Sequence, residues 1–174
     1  LSEHALIGLG PAFVTVENYE HLQLVLTEVL GFKLIDAEGS FHLFEVGEGG
    51  NGASIIVEHR EDLPAAQEGY GNVHHLALRV ADEEALRFWI EKINRLEFPN
   101  SGFVERFYFK SEYFLAATHV LFELATDGPG FLEDETYEHA GEKLSLPPFL
   151  EPKRAGIEEF VRPFDTSDAN VQRN

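Results

Sequence analysis

Hydrophobic and polar residues follow the same plan twice along the chain. One segment, about residues 11–59, begins with an alternating apolar stretch that ends at Val16, and another, about residues 75–127, begins with one that ends at Val80. Such alternation predicts a half-buried β-strand. A stretch with helical spacing of apolar residues follows in each segment, and then three more strand-like stretches. Each segment is therefore predicted to form a βαβββ module.

The predicted helices each have one apolar face, formed by Leu22, Val25, Leu26 and Val29 in the first module and by Leu86, Trp89, Ile90 and Ile93 in the second. The later strands are expected near residues 32–37, 41–46 and 54–58, and near 102–107, 110–115 and 119–125. Neither module can bury its sheet face alone. The predicted fold class is α+β, with paired modules that share a curved mixed sheet and carry their helices on its outer side.

Residues 128–174 differ from both modules. Gly128, Pro129 and Gly130 break the last strand, and two adjacent prolines enforce an extended stretch before a short helix expected near residues 152–161. From residue 165 onward the chain is polar, and we expect it to be frayed. We interpret 128–174 as a carboxy-terminal extension that packs on the domain.

Charge and composition exclude several classes of function. The 174 residues include 31 Asp and Glu against 13 Lys and Arg, which gives a formal net charge of -18. Such a surface repels phosphate backbones and anionic lipids, so nucleic-acid and membrane binding are not expected. Cysteine is absent, so any metal must be bound by His, Asp or Glu. No apolar run could span a bilayer and residues 1–7 lack a basic leader, so we expect a cytoplasmic protein.

Residues 47–52 match the pattern G-x-G-x-x-G. A dinucleotide site requires this string to open a helix, whereas here another strand follows. The glycines are therefore interpreted as a hairpin turn.

His75 and Glu123 are the main candidates for metal binding. Strand alternation places His75 on a face with small or polar neighbours and His74 on the opposite, apolar face. A lone strand histidine is usually structural, but Glu123 lies between Phe122 and Leu124, where an unpaired carboxylate is costly. A salt bridge and a metal would satisfy it equally well. If the first and last strands of the module are neighbours, His75 and Glu123 supply two ligands of a 2-His-1-carboxylate site suited to Fe(II).

Two further residues are candidates for substrate binding. Tyr113 lies on the other arm of the hairpin that carries Glu123, so its hydroxyl can reach a phenolic substrate, or its ring can belong to the core. Arg106 can balance an anionic substrate or the surface acids around it.

The first module lacks these ligands, because Pro11 stands where His75 stands in the second. A third protein ligand is therefore missing. The other histidines show no ligand spacing: His4, His21, His42, His59, His119 and His139.

Four segments carry a resemblance to a known family. They read VHHLALRV, ERFYFKSEYF, VLFELATDGPGF and GEKLSLPPFLEP. They resemble the second half of the hydroquinone-type ring-cleaving dioxygenases of the vicinal oxygen chelate superfamily, which also includes the glyoxalase, bleomycin-resistance and extradiol dioxygenase proteins. The resemblance covers nearly the whole chain, up to about residue 164.

This resemblance implies a site and a cofactor. The family binds Fe(II), in some members Mn(II), through two histidines and a glutamate, of which His75 and Glu123 match one histidine and the glutamate. It implies that His74 acts as an acid or base, that Arg106 steadies the substrate oxyanion and that Tyr113 orients the bound phenolate. The other histidine comes from an amino-terminal half, whose absence agrees with the start at a residue other than methionine. One departure is the hairpin turn at residues 115–119, where the family often has an acidic residue, proline and glycines.

The expected function is an Fe(II)-dependent dioxygenase that opens the ring of a hydroquinone or catechol with O2. This chain is then its second half, packed against an amino-terminal module and inactive alone. One alternative is a glyoxalase-like lyase or isomerase that uses Zn or Ni. Another is a non-enzymatic member that binds a hydrophobic ligand in an aromatic cup, which the 15 phenylalanines favour. Whether the chain forms a homo-oligomer is left open.

Overall fold

The first module forms a four-stranded sheet with one helix. Its elements in order are β1 (Ala12–Val16), α1 (Tyr19–Leu24), a π-helical continuation (Val25–Val29), β2 (Lys33–Glu38), β3 (Phe41–Glu45) and β4 (Ser54–His59). The strand order is β1-β4-β3-β2, with β1 parallel to β4 and the other pairs antiparallel. The first and last strands of the module are therefore neighbours. This computed structural model describes residues 8–162.

The second module repeats this order. It comprises β5 (Leu76–Val80), α2 (Glu83–Arg95), β6 (Val104–Glu105), β7 (Lys110–Ala117) and β8 (Val120–Thr126), and its sheet has the order β5-β8-β7-β6. Both sheets are mixed and both modules have the predicted βαβββ sequence of elements. The α+β prediction with paired βαβββ modules is confirmed.

Each helix begins at a side-chain cap soon after a strand ends. The Asn18 side chain accepts a hydrogen bond of 3.1 Å from the backbone N–H of His21. Asp82 does the same for Ala85 at 2.8 Å. Capping satisfies backbone donors that the first helical turn leaves without partners. Short polar side chains two residues after Val16 and Val80 thus end each first strand and start each helix.

The carboxy-terminal extension has the predicted helix. A 3-10 turn at Glu151–Lys153 leads into α3 (Arg154–Phe160), and β8 ends before Gly128 as expected. Arg154 donates to the backbone carbonyl of Leu144 at 3.0 Å, which ties the helix to the stretch before it. The predicted frayed tail and the predicted absence of a basic leader at residues 1–7 lie outside the described residues. Within 8–162, every helix is too short or too polar to cross a bilayer.

Contacts divide the chain into two compact units. Within residues 8–162, the first comprises 8–78, Ile93–Asn100 and Tyr113–Glu123, and the second comprises Arg79–Lys92, Ser101–Glu112 and 124–162. His74, His75, Tyr113 and Glu123 all belong to the first unit. These four side chains therefore lie within one compact body, although β5, β7 and β8 each continue into the second unit.

The core of the first unit contains the apolar helix face that the sequence predicts. Leu22, Val25 and Leu26 are buried, as are Phe44 and Val57 of the first sheet. Burying such side chains contributes about 1.5–3 kcal/mol each to the free energy of folding. A second buried group is the edge-to-face pair of Phe114 and Phe122, whose ring centroids lie 5.9 Å apart. This pair lies on the strands that carry Tyr113 and Glu123.

The glycine string at residues 47–52 forms the connection between β3 and β4. Gly49 and Gly50 have φ angles of +76° and +84°, a region that favours glycine. The Glu45 carboxylate closes the loop by accepting hydrogen bonds from the Gly50 N–H at 3.2 Å and the Ser54 hydroxyl at 3.0 Å. The glycines therefore serve a hairpin, as predicted.

Candidate metal and substrate site

His75 and Glu123 lie side by side on neighbouring strands. Because β5 and β8 are adjacent in the sheet, the start of one strand comes next to the middle of the other. The Nε2 atom of His75 is 2.9 Å from the Oε2 atom of Glu123, and the two side chains are 32% and 4% exposed. The acid is therefore almost fully enclosed, while the imidazole has one open side.

The second oxygen of Glu123 is unsatisfied. Among residues 8–162, its Oε1 atom is buried and has no hydrogen-bond partner. Buried carboxylate oxygens normally have a donor or a cation, because desolvation without one is costly. A carboxylate with one oxygen on an imidazole and the other without a partner is an arrangement that a bound cation would stabilise.

The separation of the two atoms fits a shared metal. Nitrogen and oxygen ligands lie about 2.0–2.2 Å from a divalent transition metal, so two ligands at a right angle are about 3 Å apart. The observed 2.9 Å between Nε2 and Oε2 agrees with this value. Imidazole and carboxylate are also the donor types of the 2-His-1-carboxylate iron sites. The residues present thus fit two positions of such a site.

His74 contacts the opposite nitrogen of His75. The two Nδ1 atoms are 2.8 Å apart and the rings are perpendicular, with centroids 5.1 Å apart. The prediction that the two side chains point to opposite sheet faces was wrong. β5 begins only at Leu76, so residues 74 and 75 precede the regular strand and escape its alternation. The result is a relay of three groups from His74 through His75 to Glu123.

Tyr113 packs against the same imidazole. Its ring centroid lies 5.3 Å from that of His75, with the planes at 82°. Tyr113 is half-buried on β7. An edge-to-face contact of this kind holds the imidazole plane in one orientation. The structure thus brings four predicted residues together: His74, His75, Tyr113 and Glu123.

Arg106 belongs to the second unit. Its backbone N–H donates to the carbonyl of Phe109 at 2.9 Å, in the turn between β6 and β7. Its predicted role toward an anionic substrate stays a prediction.

A cavity adjoins the two histidines within the first unit. It has a volume of about 440 Å³ and is lined by both imidazoles and by apolar groups that include Phe13, Val73 and Leu121. Glu123 and Tyr113 do not line it. His75 is thus the member of the ion pair that reaches the cavity. Its size and mixed lining suit a small aromatic molecule with a few polar groups.

A third metal ligand is not found beside this pair. Within residues 8–162, no three His, Asp or Glu side chains are grouped closely enough to bind one ion. The expectation that the third ligand lies elsewhere stays a prediction.

Sequence reasoning missed two residues of interest. His119 was set aside for lack of ligand spacing, yet it lines the same 440 Å³ cavity as His74 and His75. Glu112 is fully buried with no hydrogen-bond partner for either oxygen among the described residues, and burial raises its pKa to about 7. The signal for Glu112 was available, because alternation along β7 gives it the same phase as Phe114.

Comparisons with known proteins give the chain its relatives. It is 45% identical over 166 residues to the "Putative ring-cleaving dioxygenase MhqA" of Bacillus subtilis (strain 168), covering 92% of this chain and 52% of that protein. The "Putative ring-cleaving dioxygenase MhqO" of the same organism is 34% identical over 165 residues, covering 94% of this chain and 52% of that protein. The chain thus spans about half the length of the curated relatives it matches. No protein-family model matches the chain.

Solved structures agree with these relatives. The crystal structure of a putative dioxygenase from Bacillus subtilis subsp. subtilis str. 168 superposes with a TM-score of 0.79 at 34% identity, covering 91% of this chain and 50% of that one. A glyoxylase/bleomycin resistance protein/dioxygenase domain from Frankia sp. EAN1pec superposes at 0.62 with 18% identity, covering 70% and 98%. The chain therefore has the fold of the glyoxylase/bleomycin resistance protein/dioxygenase domains. This glyoxalase-like fold is the predicted one, and the two Bacillus subtilis relatives are named "putative ring-cleaving dioxygenase".

Proposed function

We propose that this chain is one half of an Fe(II)-dependent dioxygenase that opens the ring of a hydroquinone or catechol. The observation that supports the proposal best is the buried pair of His75 and Glu123, with 2.9 Å between Nε2 and Oε2 and a second carboxylate oxygen left without a partner. The names of the relatives add the reaction class. When bound by these two residues, iron, or Mn(II) in its place, would supply Lewis-acid activation of the diol and a shared site for the diol and O2.

His75 would bind the metal through Nε2 and hold its ring proton on Nδ1. The 2.8 Å contact lets this Nδ1–H donate to the Nδ1 atom of His74. His74 then carries its own proton on Nε2, the atom left to face a ligand in the cavity. That proton can be donated in a hydrogen bond to a substrate oxygen, and it is the one that His74 would exchange in an acid or base role.

Glu123 would contribute the negative charge of the site. Its burial keeps water from competing for the carboxylate, which strengthens any interaction with a cation. Tyr113 would fix the plane of the His75 imidazole and orient a phenolic oxygen. Arg106 would balance the charge of an ionised substrate. The cavity beside the histidines would contact the aromatic ring through its apolar lining.

The third ligand would come from another part of the protein. We propose that the chain packs against an amino-terminal module that supplies a histidine, since Pro11 cannot bind a metal and no three His, Asp or Glu side chains within residues 8–162 are grouped closely enough to bind one ion. The isolated chain would then bind iron weakly and be inactive. The predicted cytoplasmic location also stays a prediction.

Oxygen consumption tests the proposal. A chimaera in which this chain replaces the matched segment of MhqA should consume O2 with Fe(II) and methylhydroquinone, and a His75→Ala chimaera should not. The 174-residue chain alone should show little uptake. An iron-loaded, folded chimaera that consumes no O2 with any hydroquinone or catechol would defeat the proposal.

The same chimaera separates the alternatives. A glyoxalase-like enzyme with Zn or Ni would convert a thiol adduct without O2, so it would stay active under anaerobic conditions. A non-enzymatic binder of hydrophobic ligands would retain its ligand after His75→Ala and would hold no metal.

A further inference from the structure

His119 stands at a point of backbone strain beside the candidate site. It lies in the turn between β7 and β8 with a φ angle of +62°. Few non-glycine residues adopt this conformation; asparagine, aspartate and histidine adopt it more often than the others, and glycine does so without steric cost. The turn geometry therefore does not require an imidazole at this position. Strained residues of this kind cluster at binding sites, where the side chain has a role that offsets the strain.

The cavities of the first unit give this side chain a location. His119 lines the 440 Å³ cavity together with His74 and His75, and a neighbouring cavity of about 290 Å³ together with His74. It also lines a third cavity of about 280 Å³ that includes neither of these histidines. His119 thus lines all three cavities.

The 440 Å³ cavity has both apolar and polar residues in its lining. Phe13, Val120 and Leu121 provide apolar surface in the 440 Å³ cavity, while the imidazoles are among its few polar groups. Among residues 8–162, the His119 ring makes no hydrogen bond or ion pair. A polar group of a ligand that contacts this apolar surface would therefore find an available donor or acceptor at His119.

We infer that His119 is a specificity-determining residue that hydrogen-bonds a polar substituent on the ring of an aromatic ligand bound at His75. This inference rests on the proposed function for the identity of the ligand. The site thus favours a dihydroxybenzene with a hydroxyl-bearing substituent over one with a methyl group in the same place. His119 contacts the substrate and is not a metal ligand.

Two probes that differ by one oxygen test this inference. Methylhydroquinone and hydroxymethylhydroquinone are titrated into the Fe(II)-loaded chimaera by calorimetry without O2, for the wild type, His119→Gly and His119→Asn. One added hydrogen bond of ordinary strength corresponds to about fivefold in the dissociation constant. The wild type should bind the hydroxymethyl compound about fivefold to tenfold more tightly. His119→Gly should bind both equally, and His119→Asn, whose amide can hydrogen-bond and whose backbone tolerates the turn, should keep part of the preference.

Thermal unfolding of the same variants controls for a purely structural role. His119→Gly should unfold at the wild-type temperature or above it, because glycine relieves the strained φ angle. Absence of preference in the wild type, or full preference in a folded His119→Gly variant, would overturn the inference. Preference without O2 consumption by the chimaera defeats the proposed function but leaves this inference standing. Failure of the wild type to bind either probe overturns both.

Discussion

The Nε2 atom of His75 lies 2.9 Å from the Oε2 atom of Glu123, and Nδ1 of the same ring lies 2.8 Å from Nδ1 of His74. Both nitrogens of one imidazole are therefore engaged, one by a buried acid and the other by an exposed base. Contacts at both nitrogens fix the orientation of the His75 ring. For each protonation state of the Glu123 carboxyl group, they also fix which ring nitrogens carry a proton.

The phenol of Tyr113 should matter for turnover more than for folding. Tyr113→Phe keeps the ring that packs against His75, with centroids 5.3 Å apart in the wild type, and removes only the hydroxyl. We expect the free energy of unfolding to change by less than about 1 kcal/mol and oxygen consumption by the chimaera to fall at least about tenfold.

A matched control is Tyr108→Phe. The Tyr108 hydroxyl donates to the Asp134 carboxylate at 2.8 Å in the second unit. Its removal should leave oxygen consumption unchanged. Equal rates for Tyr113→Phe and the wild type would show that the Tyr113 hydroxyl takes no part in the reaction.

Burial of Glu112 should make folding depend on pH. The pKa of this carboxyl is raised from 4.5 to about 7 by burial. Between these values the folded chain retains the proton and the unfolded chain releases it, so the free energy of unfolding should fall as pH rises through the window and level off above about 7. At about 1.4 kcal/mol for each unit of pKa, the loss is about 3 kcal/mol.

Urea unfolding between pH 4.5 and 8 measures this loss. In Glu112→Gln the side chain does not titrate, so its unfolding free energy should lack this decline. Glu91→Gln, at an exposed position on α2, should follow the wild type. If the unfolding free energy of Glu112→Gln declined with pH in parallel with the wild type, Glu112 would have the same pKa in the folded and unfolded chain.

The glycine loop gives a prediction about stability alone. A Cβ on Gly49 would clash with the Oε2 atom of Glu45, whereas one on Gly52 would meet nothing within 4 Å. Both residues have positive φ angles, so either change to alanine costs about 1–2 kcal/mol. Gly49→Ala should cost about 1 kcal/mol more, because Glu45 must move away from the Gly50 N–H and the Ser54 hydroxyl.

The same two substitutions made in a Glu45→Ala variant separate the cost of the positive φ angle from the cost of the clash with Glu45. Without that carboxylate the two alanine substitutions should have equal effects on the unfolding free energy. A difference that persists would place the clash elsewhere in the loop.

Much of the fold was predictable, because each module follows its hydrophobic pattern closely. The meeting of His75 and Glu123 followed from one acid in an apolar strand, which requires a partner. The sequence did not predict the π-helical turn at Val25–Val29, since the apolar spacing that predicts a helix does not distinguish a local π turn from a regular one.

Three site residues were misjudged, each for a different reason. His74 and His75 were predicted to lie on opposite sheet faces because both were assigned to a strand, whereas β5 starts only at Leu76. Glu112 was overlooked because its neighbours Lys110 and Ser111 are polar, and a polar stretch is usually interpreted as exposed to solvent. His119 was overlooked because a turn residue acquires its surroundings from distant strands, and no local pattern encodes them.

A paramagnetic probe tests most directly whether His75 and Glu123 share a metal. Mn(II) titrated into the chain broadens nuclear magnetic resonance signals near the ion, even when binding is weak. In the wild type the imidazole signals of His75 and His74 should broaden first. They should not do so in Glu123→Gln, whereas Glu112→Gln, which removes a buried carboxyl group from the neighbouring strand β7, should behave like the wild type. Equal broadening in wild-type and Glu123→Gln protein, or none at His75 in the wild type, would contradict the shared metal site.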